Sequence, residues 1–95
     1  MKFEHFALNV PDTRAMSLWY VQHLGFKIVR SRDDAPYTHF LADETGRVFV
    51  ELYTNPKATI PNYAAAHPLC FHFAVVATER VPKTGPGGML VRSVG

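Results

Sequence analysis

Three ionisable residues interrupt apolar, strand-like segments of this 95-residue sequence. They are His5 in FEHFALNV, Glu51 in RVFVELY and His72 in LCFHFAVVAT. Neutral imidazole and carboxylate are ligands that divalent Zn, Fe, Mn, Ni and Co ions accept, and two histidines with one carboxylate leave coordination positions open. Such a site acts as a Lewis acid on a small oxygen-bearing molecule, so we interpret the three residues as candidate metal ligands.

The alternation of side chains along a strand places these three residues on matching faces. Each segment has larger apolar residues at every second position, which suits contact with a helix. These core-face residues are Phe6, Leu8 and Val10, then Val48, Val50 and Leu52, then Phe71, Phe73 and Val75. His5, Glu51 and His72 fall on the other face in every case, and we expect that face to carry the site.

The same residues also have a structural interpretation. No two of them form a compact metal motif such as HExxH, and a single histidine in a strand is most often a hydrogen-bonded packing residue. An inward Glu51 needs ionic or hydrogen-bond compensation, because an unpaired buried carboxylate is costly. Arg47, four residues earlier on the same face, is a candidate for that compensation. Residue types and spacing therefore leave packing and metal binding as alternatives.

Aromatic residues near these positions are predicted to line a ligand pocket. His39 should point away from Phe40 and toward the face of the candidate metal site, where Tyr37 and Tyr53 would join it. Phe49 shares that face by the same alternation. A half-exposed strand residue is the plainer interpretation of His39.

These residues need a scaffold of strands and one helix. Pro11 ends a first strand over residues 2–10 because proline cannot donate to a sheet, and Asp12 is placed to cap a helix over residues 13–24. Gly25 supplies the left-handed residue that ends this helix. Further strands are predicted over residues 26–31, 37–43, 47–53 and 69–78, with one helical turn at 62–66.

An internal repeat links the two ends of the sequence. FEHFALNV and CFHFAVVA align on their histidines, which indicates the start of a second strand-helix-strand-strand-strand unit. That unit is not completed, because residues 79–95 hold two prolines and four glycines without a helical apolar period. We predict a first module at 1–54, the start of a second at 69–78, and an irregular tail at 79–95 that includes at most a short edge strand at 89–91.

Length and composition limit the class of protein. Ninety-five residues suffice for one domain with one modest core. Ten basic and eight acidic residues are mixed along the chain, for a formal charge of +2, which gives no indication of a nucleic-acid partner. No apolar run approaches the roughly 20 residues of a membrane span and no signal-peptide pattern is present, so we expect a cytoplasmic protein with no membrane partner. The single Cys70 cannot form an internal disulfide and is expected to be a structural thiol.

With the repeat and the candidate ligands in place, the sequence resembles the vicinal oxygen chelate superfamily: glyoxalase I, bleomycin-resistance proteins and extradiol dioxygenases. The matching segments are HFALNVPD, LWYVQHLGF, VFVELYTNP and PLCFHFAV, which span residues 1 to about 78. The resemblance implies an α+β fold in which paired βαβββ modules form a cup around a metal or ligand. It also implies that His5, Glu51 and His72 hold a divalent ion (Zn, Ni, Mn or Fe), with Glu51 as catalytic base when it leaves the metal.

The resemblance implies a fourth ligand, a carboxylate near the end of a complete second module, and this chain has no such position. We therefore expect a homodimer to complete the cup, with His5 and Glu51 of both copies around one axis. Three functions stay open: a metal-dependent glyoxalase- or dioxygenase-like protein, a metal-free bleomycin-resistance-type dimer that binds a planar or cationic small molecule, and an inactive truncated relative. In the metal-free dimer the cleft would be lined by Phe3, Phe49, Tyr37, Tyr53 and His39.

Overall fold

The fold consists of one helix on a four-stranded sheet, followed by a two-stranded sheet. The computed structural model describes residues 1–67, 69, 73–76 and 91–94. In chain order the elements are β1 (Phe6–Asn9), α1 (Thr13–Leu24), β2 (Lys27–Ser31), β3 (His39–Ala42), β4 (Val48–Tyr53), a 3-10 helix (Tyr63–Ala65), β5 (Phe73–Val76) and β6 (Val91–Val94). The predicted α+β class and the βαβββ order of the first module are confirmed.

Both ends of α1 follow from the residues that flank it. Asp12 is extended at φ −146°, and its side chain accepts a hydrogen bond from the Ala15 amide at 3.0 Å. Gly25 adopts φ 71°, a left-handed conformation, and the Phe26 amide donates to the Tyr20 carbonyl at 3.4 Å. The predicted helix bounds are confirmed. In the described part of the chain, no helix has the length and apolarity needed to cross a membrane.

The four-stranded sheet places the first strand next to the fourth. Its order is β1-β4-β3-β2, with β1 parallel to β4 and the other pairs antiparallel. The helix covers one face, where apolar side chains of α1, β3, β4 and the flanking segments pack together because burial removes their surface from water. The buried cluster comprises Val10, Met16, Tyr20, Phe26, Leu41, Val50, Leu52 and Tyr63. The opposite face of the sheet is where the candidate functional site is expected.

An irregularity in the β3–β4 pairing redirects one aromatic side chain. Ala42 pairs with Val48, whereas the residue before it pairs with Val50, so β4 carries one extra residue at this point. That residue, Phe49, packs against the core with its ring centroid 4.9 Å from that of Phe26. The predicted position of Phe49 on the face opposite the helix is wrong, because the extra residue interrupts the simple alternation.

The second sheet is a parallel pair of short strands. β5 and β6 are in register from Phe73 opposite Val91 to Val76 opposite Val94. β5 lies within the strand predicted at 69–78, and β6 lies within the segment predicted to be an irregular tail. The β6 sequence VRSV begins and ends with valine, a β-branched residue that is common in strands. The predictions for Cys70 and His72 lie outside the described residues.

Candidate functional site

His5 and Glu51 meet on the sheet face opposite α1. The parallel pairing of β1 with β4 sets Ala7 beside Glu51, and His5 lies two residues before Ala7. The His5 Nε2 atom is 3.2 Å from Glu51 Oε1. The two side chains are 25% and 23% exposed, so the pair is shielded from water yet open to a ligand. The structure thus brings together two of the three candidate metal ligands.

Glu4 completes the surroundings of the His5 ring. Nδ1 of His5 is 2.8 Å from Glu4 Oε1. Carboxylate oxygens only accept, so both contacts of the ring are hydrogen bonds at once only when each ring nitrogen carries a proton. When Nδ1 alone is protonated, it donates to Glu4, and Nε2 turns a lone pair toward Glu51. Proteins orient metal-binding histidines in this manner, with a carboxylate on the ring nitrogen that does not touch the ion.

The distance between the two donor atoms fits a shared metal ion. Metal–ligand bonds of about 2.1 Å, at angles of about 90–110°, separate two donors by about 3.0–3.4 Å. The 3.2 Å between His5 Nε2 and Glu51 Oε1 lies inside this range. Within the described ranges there is no group of three or more histidine, cysteine, aspartate or glutamate side chains arranged for a metal. Metal binding by His5 and Glu51 therefore stays a prediction, and it would need further ligands beside these two.

An aromatic ring and a guanidinium extend the site across the sheet. The strand registers place Ala7, Glu51, Phe40 and Arg30 in one row across β1, β4, β3 and β2. The Phe40 ring meets the His5 ring edge to face, with 5.5 Å between centroids. The guanidinium carbon of Arg30 lies 5.4 Å from the centre of the same phenylalanine ring, within reach of a cation–π contact. The row gives the site an apolar floor and a positive charge two strands from Glu51.

The compensation predicted for Glu51 comes from a different residue. Arg47 donates from Nη2 to the Phe3 carbonyl at 2.6 Å, whereas Glu51 contacts His5. The prediction is wrong because the extra residue Phe49 lies between Arg47 and Glu51 and interrupts the alternation that would have put both on one face. Phe3, which the metal-free alternative places in a ligand cleft, is 60% exposed.

His39 and Phe40 occupy the faces opposite to those predicted. His39 pairs with Leu52, which is fully buried on the helix side, while Phe40 pairs with Glu51. His39 therefore points to the helix face, where it is 7% exposed, and does not border the candidate metal site. The prediction is wrong about which face is the core, because Phe40 and Leu41 are both apolar and either could have faced the helix.

The two tyrosines predicted to line one ligand pocket lie apart. Tyr53 pairs with Asn9 and by alternation shares the face of Glu51, where it is partly buried. Tyr37 lies beside His39, and both border an open cleft of about 500 Å³ at one end of the sheet. Substrate contact by any of these aromatic residues stays a prediction.

Two tyrosines of the core are held in the neutral form. Burial raises the pKa of Tyr20 above the ordinary range of a phenol, and the nearby Tyr63 adds to this effect. Burial also raises the pKa of Tyr63, whose hydroxyl donates to the Asn9 carbonyl at 2.7 Å. Both phenols belong to the core cluster, so they support the sheet from its helix side and are not candidate bases for the site.

Sequence reasoning misses three residues on the face of the sheet that carries the site: Glu4 and Phe40, which contact the His5 ring, and Arg30, which contacts Phe40. Glu4 precedes β1, and its contact follows from its adjacency to His5. The Glu-His dipeptide is the one signal that points to it. Phe40 and Arg30 are placed by the antiparallel registers of β2, β3 and β4, which hydrophobic alternation specifies only where one face is clearly apolar.

The chain matches a known protein family. A sequence model of the Glyoxalase/Bleomycin resistance protein/Dioxygenase superfamily matches residues 2–84. No curated protein and no solved structure matches the chain. The matched range contains the helix, the four-stranded sheet and both His5 and Glu51.

Proposed function

The chain belongs to the Glyoxalase/Bleomycin resistance protein/Dioxygenase superfamily, and from that premise we propose that it is a divalent-metal-dependent protein that acts on a small oxygen-bearing molecule. The resemblance to vicinal oxygen chelate proteins is confirmed at the level of this superfamily. The proposal of a metal rests on one observation, the 3.2 Å between His5 Nε2 and Glu51 Oε1 on the open face of the sheet.

Each residue of the site has a distinct role in this proposal. His5 and Glu51 would hold the ion, and Glu4 would fix the imidazole orientation through Nδ1. When bound, the ion supplies a Lewis acid that polarises substrate oxygens. Glu51 is also the candidate base, because its Oε2 atom makes no hydrogen bond to the residues that the structure describes. Arg30 gives the face a cation that suits a carboxylate on the substrate.

The remaining ligands would come from His72 or from a second copy of the chain. A two-fold axis beside the pair would bring His5 and Glu51 of each copy to one ion, since a two-fold interface repeats the same residues on both sides. The exposed Phe3 and the half-buried Phe40 supply apolar surface on this side of the sheet that such a dimer would bury.

Elemental analysis, titration calorimetry and solution mass of the purified protein test this function. We expect Zn, Ni, Mn or Fe to bind with one ion per chain, or one per dimer where the axis is shared. His5→Ala and Glu51→Gln should each weaken ion binding at least about 100-fold, because each removes a direct ligand. The matched control is His23→Ala, which removes an exposed imidazole of α1 and should leave affinity unchanged. Protein that neither carries ions nor binds added ones would contradict the proposal.

A second candidate function is metal-free binding of a small molecule, as in the bleomycin-resistance members. Its support is that both ring nitrogens of His5 contact carboxylates, so a protonated ring is fully hydrogen-bonded without an ion. Under this alternative, His5→Ala changes the affinity for a fluorescent aromatic dye by less than about twofold, whereas Phe40→Ala weakens it clearly. A monomer that binds neither ions nor dye would support the third candidate, an inactive relative.

A further inference from the structure

The open cleft beside Tyr37 and His39 lies on the other side of the sheet from His5 and Glu51. It has a volume of about 500 Å³ and opens where β1 and β4 end and β3 begins, between the start of α1 and the β2–β3 connection. Small-molecule pockets span about 300–1,000 Å³, so the cleft is large enough for a compact ligand. Its walls are residues 11–14, Arg32, Asp33, Tyr37, His39 and Thr54.

His39 presents an unpaired acceptor to this cleft. It is 7% exposed, and its Nδ1 atom is 2.8 Å from the Tyr37 carbonyl oxygen. A carbonyl only accepts, so Nδ1 carries the proton and a neutral ring has its lone pair on Nε2. Nε2 makes no hydrogen bond with any residue in the described ranges. Nε2 is also not one of the fully buried polar atoms, so it reaches the solvent of the cleft and is open to a ligand.

The threonines of the cleft offer no free hydroxyl proton. Thr54 Oγ1 donates to the Val10 carbonyl at 2.8 Å. Thr13 Oγ1 lies 2.7 Å from Thr54 Oγ1 and must be the donor of that pair, because each hydroxyl has one proton. Thr54 Oγ1 also accepts from the Thr13 amide at 3.2 Å, so the threonine wall has no O–H donor for a ligand and the polar contacts must come from other residues.

Two aspartates and two arginines line the cleft, and Asp34, the residue after Asp33, adds a third carboxylate next to it. Arg32 donates to Asp34 through two hydrogen bonds of 3.1 and 3.0 Å, and this contact holds the pKa of the Asp34 carboxyl below its usual value. The guanidinium of Arg32 is thereby already paired. The two lining carboxylates, Asp12 and Asp33, then outnumber the one remaining lining cation, Arg14. Neither carboxylate forms an ion pair within the described chain.

We propose that this cleft binds a small organic cation, a molecule with an ammonium or guanidinium group beside an aromatic or apolar part. The charged N–H groups would donate to His39 Nε2 and to the Asp33 carboxylate. The Tyr37 ring, 46% exposed on a backbone held at φ 60°, would cover the apolar part and face the positive charge. Arg14 is exposed and its long side chain turns toward solvent when the cation enters. This site is independent of the metal proposed for the opposite face.

Three probes of nearly the same shape test which ligand charge the cleft prefers: the cation benzylammonium, the neutral benzyl alcohol and the anion benzoate. In NMR titrations of the full chain, benzylammonium should shift the His39 and Tyr37 signals with a dissociation constant at least about tenfold below that of benzyl alcohol. Asp33→Asn should weaken benzylammonium binding about tenfold. The matched control is Glu44→Gln, which removes an exposed carboxylate of the β3–β4 turn and should have no effect. His39→Asn keeps an amide donor for the Tyr37 carbonyl but removes Nε2, and it should also weaken binding.

Several outcomes would overturn the proposal. Benzoate that binds as tightly as benzylammonium would contradict the preference for a cation. The absence of NMR shifts from all three probes at about 10 mM would show that the cleft does not bind them. Unchanged affinity in Asp33→Asn is another such outcome, and this exposed residue keeps the test valid even where His39→Asn fails to fold. His5→Ala should leave benzylammonium binding intact, and a loss there would assign the probe to the opposite face.

Discussion

Replacement of Thr54 by valine should destabilise the domain at the junction of β1, α1 and β4. The Thr54 hydroxyl donates to the Val10 carbonyl at 2.8 Å and accepts from the amide and the hydroxyl of Thr13 at 3.2 and 2.7 Å. Valine has the same shape without the hydroxyl, so three hydrogen bonds are lost together. Thr13 is 2% exposed, and water cannot readily replace its lost partner.

The size of the effect follows from those three bonds. At about 1 kcal/mol for each hydrogen bond, the free energy of unfolding should fall by about 3 kcal/mol. This is a large part of the roughly 5–15 kcal/mol that stabilises a typical domain. With a urea slope of about 1–3 kcal/mol per molar, the unfolding midpoint should fall by about 1–3 M. Equilibrium unfolding followed by fluorescence of the partly buried Trp19 measures this shift.

Thr38→Val is the matched control, because the Thr38 side chain is partly buried and makes no hydrogen bond in the described part of the structure. The reasoning is refuted when Thr54→Val costs less than about 0.5 kcal/mol, or no more than Thr38→Val. Thr13→Val combined with Thr54→Val should be less destabilising than the sum of the two by about 1 kcal/mol, since both variants remove the same hydroxyl–hydroxyl bond.

Two further predictions concern the helix end and the core. Gly25→Ala should lower the free energy of unfolding by about 1–2 kcal/mol, because φ 71° strains an L residue. Steric contact adds nothing, since no atom lies within 4 Å of the added Cβ; urea unfolding that matches wild type would contradict this reasoning. Because burial raises the pKa of Tyr20 and Tyr63, the folded chain keeps phenolic protons that the unfolded chain releases above about pH 10. Stability should therefore be unaffected by these groups below about pH 10 and fall as pH rises above it, by up to about 1.4 kcal/mol per pH unit for each tyrosine. Tyr20→Phe should reduce that slope in urea unfolding between about pH 8 and 12, and an unchanged slope would argue against Tyr20 as its source.

Local chemistry made much of the fold predictable from sequence. Pro11, Asp12 and Gly25 are residues whose backbone or capping preference is decisive by itself, and the bounds of α1 follow from them. The likeness of FEHFALNV and RVFVELY to strands with one apolar face likewise placed His5 and Glu51 on a common side. In both cases the residues of one segment are sufficient, without knowledge of the strands that pair with it.

The parts that sequence did not specify depend on pairing between strands. HFLA in β3 is apolar on both faces, so alternation does not say whether His39 or Phe40 faces the helix; the register with β4 decides. The extra residue at Phe49 is likewise a property of two strands together. Glu4 is outside β1, where no period orients its side chain. The candidate cleft combines segments distant in sequence, which is why the pattern of any one segment does not reveal it.

The parallel contact of β1 with β4 joins His5 and Glu51 across 46 positions of the chain. The consecutive strands β2, β3 and β4 pair as antiparallel neighbours, so a partly folded chain with only these three strands paired contains Glu51 and lacks its partner. Contacts of such sequence separation require a long loop to close before they form. During synthesis His5 leaves the ribosome first, with only its neighbour Glu4 as a partner until β4 has followed, so the His5 Nε2 and Glu51 Oε1 atoms meet only in the completed module.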